Sequence, residues 1–431
     1  MNSQNPRQIA ARVLSQRLNS NEYTENLLET ALAMARLSPA DRGLCHELVC
    51  GVVRWQATLD CLIARRTDAA RQQRPALQNL LRLGLYQIFW LDRIPPHAAV
   101  HETVELAKRS GYTGQAGFIN AMLRGYLREA GEIKKILADM KVSQPALGYS
   151  QPEWLVEKWQ KQFGEEKTRQ LLEWNNTPPK TFARVNTLKT DASKLVEAWR
   201  EENVEYDFVT RGWTGENLMF ELKSHPPLKT LDSFRRGLFY IQDPSTLLAP
   251  MILGAEPGET ILDLCAAPGG KTTFIAQQMN NEGKIVAQDI SPDRLKLIKE
   301  NCTNLGVKIA EAVLPDTSAS PTATFDRILV DAPCSNTGVL RRRVDLRWRI
   351  SSEEISRLRR TQLDLLRQAA AKLNPEGILV YSTCSLEPEE NHEVVQAFLQ
   401  EHPQFQLESE RQLLPFTDDV DGAFVAQLKR D

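Results

Sequence analysis

Asp263-Leu-Cys-Ala-Ala-Pro-Gly-Gly-Lys-Thr272 is the stretch that decides how this chain folds. It joins an apolar run over 260–264 to a helical pattern near 271–280. Its small residues let backbone approach a ligand closely, and the helix start that follows offers free N–H donors. Two familiar Gly-rich loops do not fit. The phosphate-loop spacing needs its first glycine at position 265, which is Cys, and the dinucleotide spacing fails because Gly269 and Gly270 are adjacent. Alanine and proline beside the glycines suit a shaped cavity better than a plain tight turn.

Outward from this turn, strands alternate with helices. Strands are predicted at 260–264, 284–288, 307–313, 326–330 and 378–382, and helices near 271–280, 292–303, 353–373 and 390–401. That order implies a doubly wound α/β domain with a parallel sheet covered on both faces, and 423–428 as a last, antiparallel strand. A ligand then belongs at the carboxyl ends of the first strands. Asp289, ending the second strand, stands where a carboxylate can accept hydrogen bonds from both ribose hydroxyls of a nucleoside-bearing cofactor.

Two further strand ends carry thiols: Asp331-Ala-Pro-Cys-Ser335 and Ser382-Thr-Cys-Ser385. An isolated cysteine is usually an inert small hydrophobe. Here Cys334 and Cys384 leave the same sheet edge, each beside a hydroxyl, with Asp331 close to one of them, which suggests covalent chemistry on an electrophilic ring.

Before the sheet, residues 5 to about 140 read as five to seven helices. Ser38-Pro39 is a helix start, and Pro95-Pro96 ends the helix before it. The formal charge of −2 hides an asymmetry: residues 1–140 hold 18 Lys and Arg against 13 Asp and Glu, or +5, and the remainder holds 35 against 42, or −7. Basic residues such as Arg65-Arg66, Lys108-Arg109, Arg124 and Arg128 are either solvated helix faces or an RNA footprint. His97 and His101 lie one helical turn apart but have no Cys or acid ligands beside them, so no metal is assigned. The stretch 144–152, with its prolines and glycine, reads as a linker. A small α+β segment follows it, giving domains at 1–143, 150–243 and 244–431.

At 431 residues, 25% charged and 42% hydrophobic, the chain is neither disordered nor fibrous. Its longest apolar run, 247–255, is far short of the roughly 18 residues of a membrane span. Seven scattered cysteines do not resemble a secreted disulfide framework, so a cytoplasmic location is expected.

Taken together, the four strand-end motifs resemble those of the cytosine-C5 RNA methyltransferases of the Fmu/Sun family, which use S-adenosylmethionine. Glu47-Leu-Val-Cys-Gly-Val-Val-Arg54, Arg93-Ile-Pro-Pro-His-Ala-Ala-Val-His-Glu-Thr-Val104 and Gly117-Phe-Ile-Asn-Ala-Met-Leu-Arg124 resemble the NusB-type RNA-binding domain found on members that act on small-subunit ribosomal RNA. The resemblance spans nearly the whole chain. It implies an all-α NusB-like domain, a small α+β domain and a Rossmann-like methyltransferase domain with a seven-stranded, mostly parallel sheet.

The resemblance implies roles residue by residue. Cys384 matches the nucleophile and Cys334 the cysteine that assists product release. Asp331 matches the acid that contacts the base and borders the cofactor. Cys265, Ala266, Ala267, Pro268, Gly269, Gly270 and Lys271 match the loop at the methionine end of the cofactor, and Asp289 matches the ribose ligand. Arg184, Asn186, Gln242, Asp243 and Ser245 match signatures that shape the site. Asp316 matches the residue near adenine, although the usual Gly-Asp-Gly turn is replaced here by Leu314-Pro-Asp-Thr-Ser318. Small-subunit ribosomal RNA is the implied partner, without a membrane or an obligate protein partner. A transfer-RNA substrate and a non-catalytic, antitermination-like RNA-binding factor are the alternatives.

Overall fold

The structure, a computed structural model, describes residues 5–67, 74–315 and 324–431. Its contacts group the chain into two units: Met1–Thr177 with Leu340–Arg349, and Pro178–Val339 with Ile350–Asp431. Among the described residues no helix is long and apolar enough to cross a membrane.

Among its described residues the first unit is all helical. Up to Ser143 it has eight α-helices among the described residues, beyond the five to seven read from periodicity. The difference has a local cause. The helices Pro39–Arg54 and Gln56–Ala64 are separated by Trp55 alone, and Ala116–Arg128 and Ala130–Ser143 by Glu129 alone. Both residues leave helical geometry near φ −100, ψ 18, without a glycine or proline to mark the break. Ser38 caps as predicted, its Oγ accepting from the Asp41 N–H at 3.1 Å with Pro39 in the first turn. The helix Pro75–Trp90 is buried along most of its length and centres the core. Residues 144–152 do not form a loose linker: they contain the short helix Pro145–Gly148 and bury Ser150 and Gln151. Hydrogen bonds from Ala57 N–H to Ser150 Oγ at 3.0 Å and from Thr58 Oγ1 to Leu147 O at 2.7 Å hold that stretch in place.

The segment Leu340–Arg349 completes this unit although it follows Cys334 in sequence. Arg347, fully buried, donates to the carbonyls of Arg54, Ser150 and Asn175 and to Asn176 Oδ1 at 2.9–3.3 Å. Asp345, also fully buried, accepts from Arg17 Nε at 2.6 Å and the Thr24 N–H at 2.5 Å.

The second unit contains two sheets. β1 (Thr181–Val185), β2 (Glu205–Val209), β3 (Met219–Ser224) and β4 (Phe239–Ile241) form an antiparallel sheet in the order β2-β3-β1-β4. β5 (Thr260–Leu264), β6 (Lys284–Gln288), β7 (Ala310–Val313), β8 (Phe325–Asp331), β9 (Leu373–Thr383), β10 (Phe405–Leu413) and β11 (Ala423–Arg430) form the other, in the order β10-β11-β9-β8-β5-β6-β7. β11 runs against both neighbours and the other pairings are parallel, so six strands share one direction. This is the predicted Rossmann-like sheet. The strand β10 has no counterpart in the sequence reading, because between Phe405 and Leu413 its side chains are polar or exposed and carry no apolar alternation.

Removing the Asp345 carboxylate leaves Arg17 and the Thr24 N–H without their buried partner. Asp345→Ala is expected to cost roughly 3 kcal/mol of stability in urea unfolding; a loss below about 1 kcal/mol, the size of a surface ion pair, would contradict the burial argument.

Candidate active site

The site is assembled by strand register. β5 lies between β6 and β8, and pairs Leu264 with both Gln288 and Val330; β8 and β9 pair Asp331 with Ser382. The chain therefore leaves four adjacent strands at one edge, bringing together Asp289, the loop Cys265–Lys271, Asp331 to Cys334, and Cys384.

The loop after β5 is bent by left-handed backbone at Cys265 (φ 61) and Gly269 (φ 100). A Cβ on Gly269 would also crowd Ile298 Cα at 3.3 Å, so both backbone conformation and space favour glycine there. Arg184 on β1 braces the loop from beneath. Its guanidinium, wholly buried, donates to Gln242 Oε1 at 2.6 Å, Gly270 O at 2.8 Å and Thr273 Oγ1 at 3.0 Å, and lies over the Tyr240 and Phe274 rings. Burial lowers it to about 9, which still leaves it charged at neutral pH. Asn186 donates to Gly237 O and Leu305 O at 2.7 and 2.8 Å, and Asp243 accepts from the Ser245 N–H at 3.0 Å.

Asp289 is 2% exposed. Its carboxylate accepts from the Ala267 and Ile290 N–H groups at 3.1 and 2.8 Å and meets Arg294 Nη1 at 3.3 Å. A carboxylate has about four lone-pair sites, so acceptor capacity is left for a diol. Asp331 receives Lys271 Nζ at 2.7 Å on one oxygen and Ser382 Oγ at 2.8 Å on the other. Burial pulls the Lys271 ammonium down, but the charge and hydrogen bond of Asp331 outweigh it and the net shift is upward. Lys271 is thus more than a loop residue, since it is the counter-ion of Asp331.

Cys334 and Cys384 face each other with their sulfurs 3.3 Å apart. The Cys384 N–H donates to Cys334 Sγ at 3.3 Å, and the Cys384 thiol donates to Asn336 Oδ1 at 2.9 Å. Cys334 is buried, and its contact with Cys384 together with desolvation raises its pKa well above the ordinary 9. Cys265 is pushed up to about 12, chiefly by burial. Of these three thiols, Cys384 alone combines partial exposure with a place at the end of β9. Gly338 fixes the loop beyond Cys334: its N–H donates to Cys384 O at 2.9 Å, and a Cβ there would lie 2.8 Å from that oxygen.

Asp316 lies outside the described residues. Asn336 and Glu390 are the site residues that sequence reasoning missed. Asn336 directly follows the Cys-Ser pair, which was a usable signal. Glu390 sits in Glu387-Pro-Glu-Glu-Asn391, which reads as a solvated, acidic helix start, yet it is fully buried.

Residues 250–429 match the family described as 16S rRNA methyltransferase RsmB/F, residues 4–128 the NusB family, and residues 151–212 the ferredoxin-like domain of RsmF/B-like methyltransferases. The chain is 36% identical over 445 residues to a probable ribosomal RNA small subunit methyltransferase B of Bacillus subtilis (strain 168), covering 98% of each. A protein of the same description from Synechocystis sp. is 38% identical over 448 residues, covering 98% of this chain and 99% of that one. Among solved structures, the crystal structure of PH0851 has a TM-score of 0.79 at 24% identity, covering 99% of both chains, and shows a shared fold.

Beneath the loop, Asp263 is fully buried. Thr272 Oγ1 donates to its Oδ2 at 2.6 Å, and among the described residues its Oδ1 has no partner. Burial pushes the carboxyl up to about 7, the Thr272 hydrogen bond opposing and Asp331 and Asp289 adding to the rise. The native state therefore favours the protonated form, and this stabilisation is lost as pH climbs from the ordinary 3.8 through about 7. Asp263→Asn, which keeps an acceptor for Thr272, is expected to gain stability relative to the native chain from pH 5 to 7 and to level off above that. Thermal unfolding at several pH values measures it, and a difference independent of pH would contradict the assignment.

Proposed function

Because the chain belongs to the 16S rRNA methyltransferase RsmB/F family, we propose that it transfers the methyl group of S-adenosylmethionine to C5 of a cytosine in small-subunit ribosomal RNA through a covalent bond between Cys384 and C6. The observation that carries this reading is the pair of sulfurs 3.3 Å apart at the ends of adjacent strands, beside an ion-paired carboxylate.

The residues at the strand ends fit the cofactor. Asp289 offers acceptors to a ribose diol, and the small residues of the loop Cys265–Lys271, bent at Cys265 and Gly269, suit the methionine end. Asp316 is proposed near adenine on the resemblance alone. When bound, S-adenosylmethionine supplies an electrophilic methyl group.

Cytosine C5 is a poor nucleophile until C6 is attacked, because addition there turns the ring into an enamine. Cys384 makes that attack as a thiolate, having given its proton to solvent water. Asp331 enters this step as an ion-paired carboxylate, rather than the protonated acid that a bare base contact would need. It accepts from the N4 amino group of cytosine. As attack makes N3 basic, the Lys271 proton passes through Asp331 to N3, so that charge does not build up on the ring. Cys334, neutral in the resting state, does not compete as nucleophile. After methyl transfer the C5 proton passes to solvent water, the N3 proton returns through Asp331 to Lys271, and the C6–sulfur bond breaks to free Cys384 as a thiolate, with Cys334 assisting from 3.3 Å away. A paired cytosine must leave its helix to be reached, so single-stranded or flipped RNA is the substrate form. In the helical unit a cleft of about 920 Å³ is lined by His97, His101, the Lys108–Glu105 ion pair, Arg124 and Arg128, and its two arginines offer cationic surface to the phosphate backbone. The reactions and partners proposed here place the protein in the cytoplasm.

Cys384→Ser is expected to abolish methyl incorporation into small-subunit ribosomal RNA. Cys334→Ser is expected to stay covalently joined to RNA on a denaturing gel. Methylation at a normal rate by the Cys384→Ser protein would refute the nucleophile assignment.

A further inference from the structure

Behind the two thiols lies a second, buried layer. Glu390 is fully buried, and both of its carboxylate oxygens are met by donors. Oε1 accepts from the Ser335 N–H at 2.8 Å and Gln362 Nε2 at 3.1 Å, and Oε2 accepts from Ser385 Oγ at 2.5 Å and from Ser335 Oγ. Ser335 directly follows Cys334, and Ser385 directly follows Cys384. Their hydroxyls are 3.1 Å apart, so one carboxylate spans the residues next to both sulfurs. The glutamate is itself anchored, since Tyr381 Oη donates to its carbonyl at 2.6 Å. Asn391 ties the same loop again, donating to Ser385 O at 2.9 Å and accepting from Thr383 Oγ1 at 2.6 Å.

We propose that Glu390 is a positioning residue that, by bridging Ser335 and Ser385, fixes the Cys334 and Cys384 sulfurs at the separation product release requires. A buried carboxylate without its partners is costly, and this one is satisfied only while both cysteine loops are in place. Attack on C6 needs the Cys384 sulfur alone. Release needs both sulfurs in register, so loosening the bridge slows release more than attack. The inference rests on the covalent reading above.

Glu390→Gln keeps the side-chain shape but replaces one acceptor oxygen with a donor group. With both thiols intact, it is expected to accumulate RNA joined covalently to protein during turnover and to lower kcat at least fivefold. First-turnover methyl transfer should stay within about threefold of the native rate, with KM for RNA unchanged. Ser385→Ala, which removes one arm of the bridge, is expected to do the same and serves if Glu390→Gln fails to fold. A folded Glu390→Gln or Ser385→Ala protein with native kcat and no accumulated adduct overturns the proposal, as does loss of first-turnover transfer matching the loss in kcat. Cys334→Ser, run alongside, separates the two levels. If it forms no adduct the covalent reading itself falls, whereas an adduct with Cys334→Ser and none with the bridge variants refutes the role of Glu390 alone.

Discussion

The parallel pairing of β8 with β9, continuous from Arg327 opposite Ile378 to Asp331 opposite Ser382, is the constraint on which the site depends. It sets Asp331 opposite Ser382, which makes their side-chain hydrogen bond possible and starts both cysteine loops from the same level of the sheet. A slip of one residue would reverse every side chain on one strand and move Asp331 away from Lys271. The register is held by core packing below it, where Ile328, Val330, Leu379 and Tyr381 are completely buried. The chemistry at the edge is thus fixed by hydrophobic burial in the middle.

Two cations are arranged around that edge. Lys271 reaches from the start of the helix Gly270–Gln278 to Asp331, and Arg184 reaches from the small sheet to the backbone of the same turn. One cation pairs with Asp331 and the other holds the loop. The turn can therefore remain poor in bulky side chains, as the proposed cofactor site requires, without losing its shape.

The sequence showed most of the sheet directly, because buried parallel strands are written as apolar runs. β5 and β6 were read to the residue. The strand β10 was invisible, being an edge with a polar exposed surface, and the helix breaks at Trp55 and Glu129 carry no breaker residue. Residues 144–152 misled because proline and glycine there serve a packed turn. In the site, the residues that leave strand ends were legible from their motifs. Their partners were not: Lys271 to Asp331 spans 60 positions and Ser335 to Glu390 spans 55, and local pattern does not encode such contacts. The same holds for the segment Leu340–Arg349, whose buried Asp345 and Arg347 find their partners hundreds of residues upstream.

In the proposed reaction two neighbouring thiols divide the work, Cys384 bonding the base and Cys334 helping to free it. Peptide mass spectrometry on RNA-joined Cys334→Ser protein tests this most directly, since it identifies the residue carrying the nucleotide. The account predicts a nucleotide mass on the peptide containing Cys384. A nucleotide on any other residue, or no joined species at all, would contradict it.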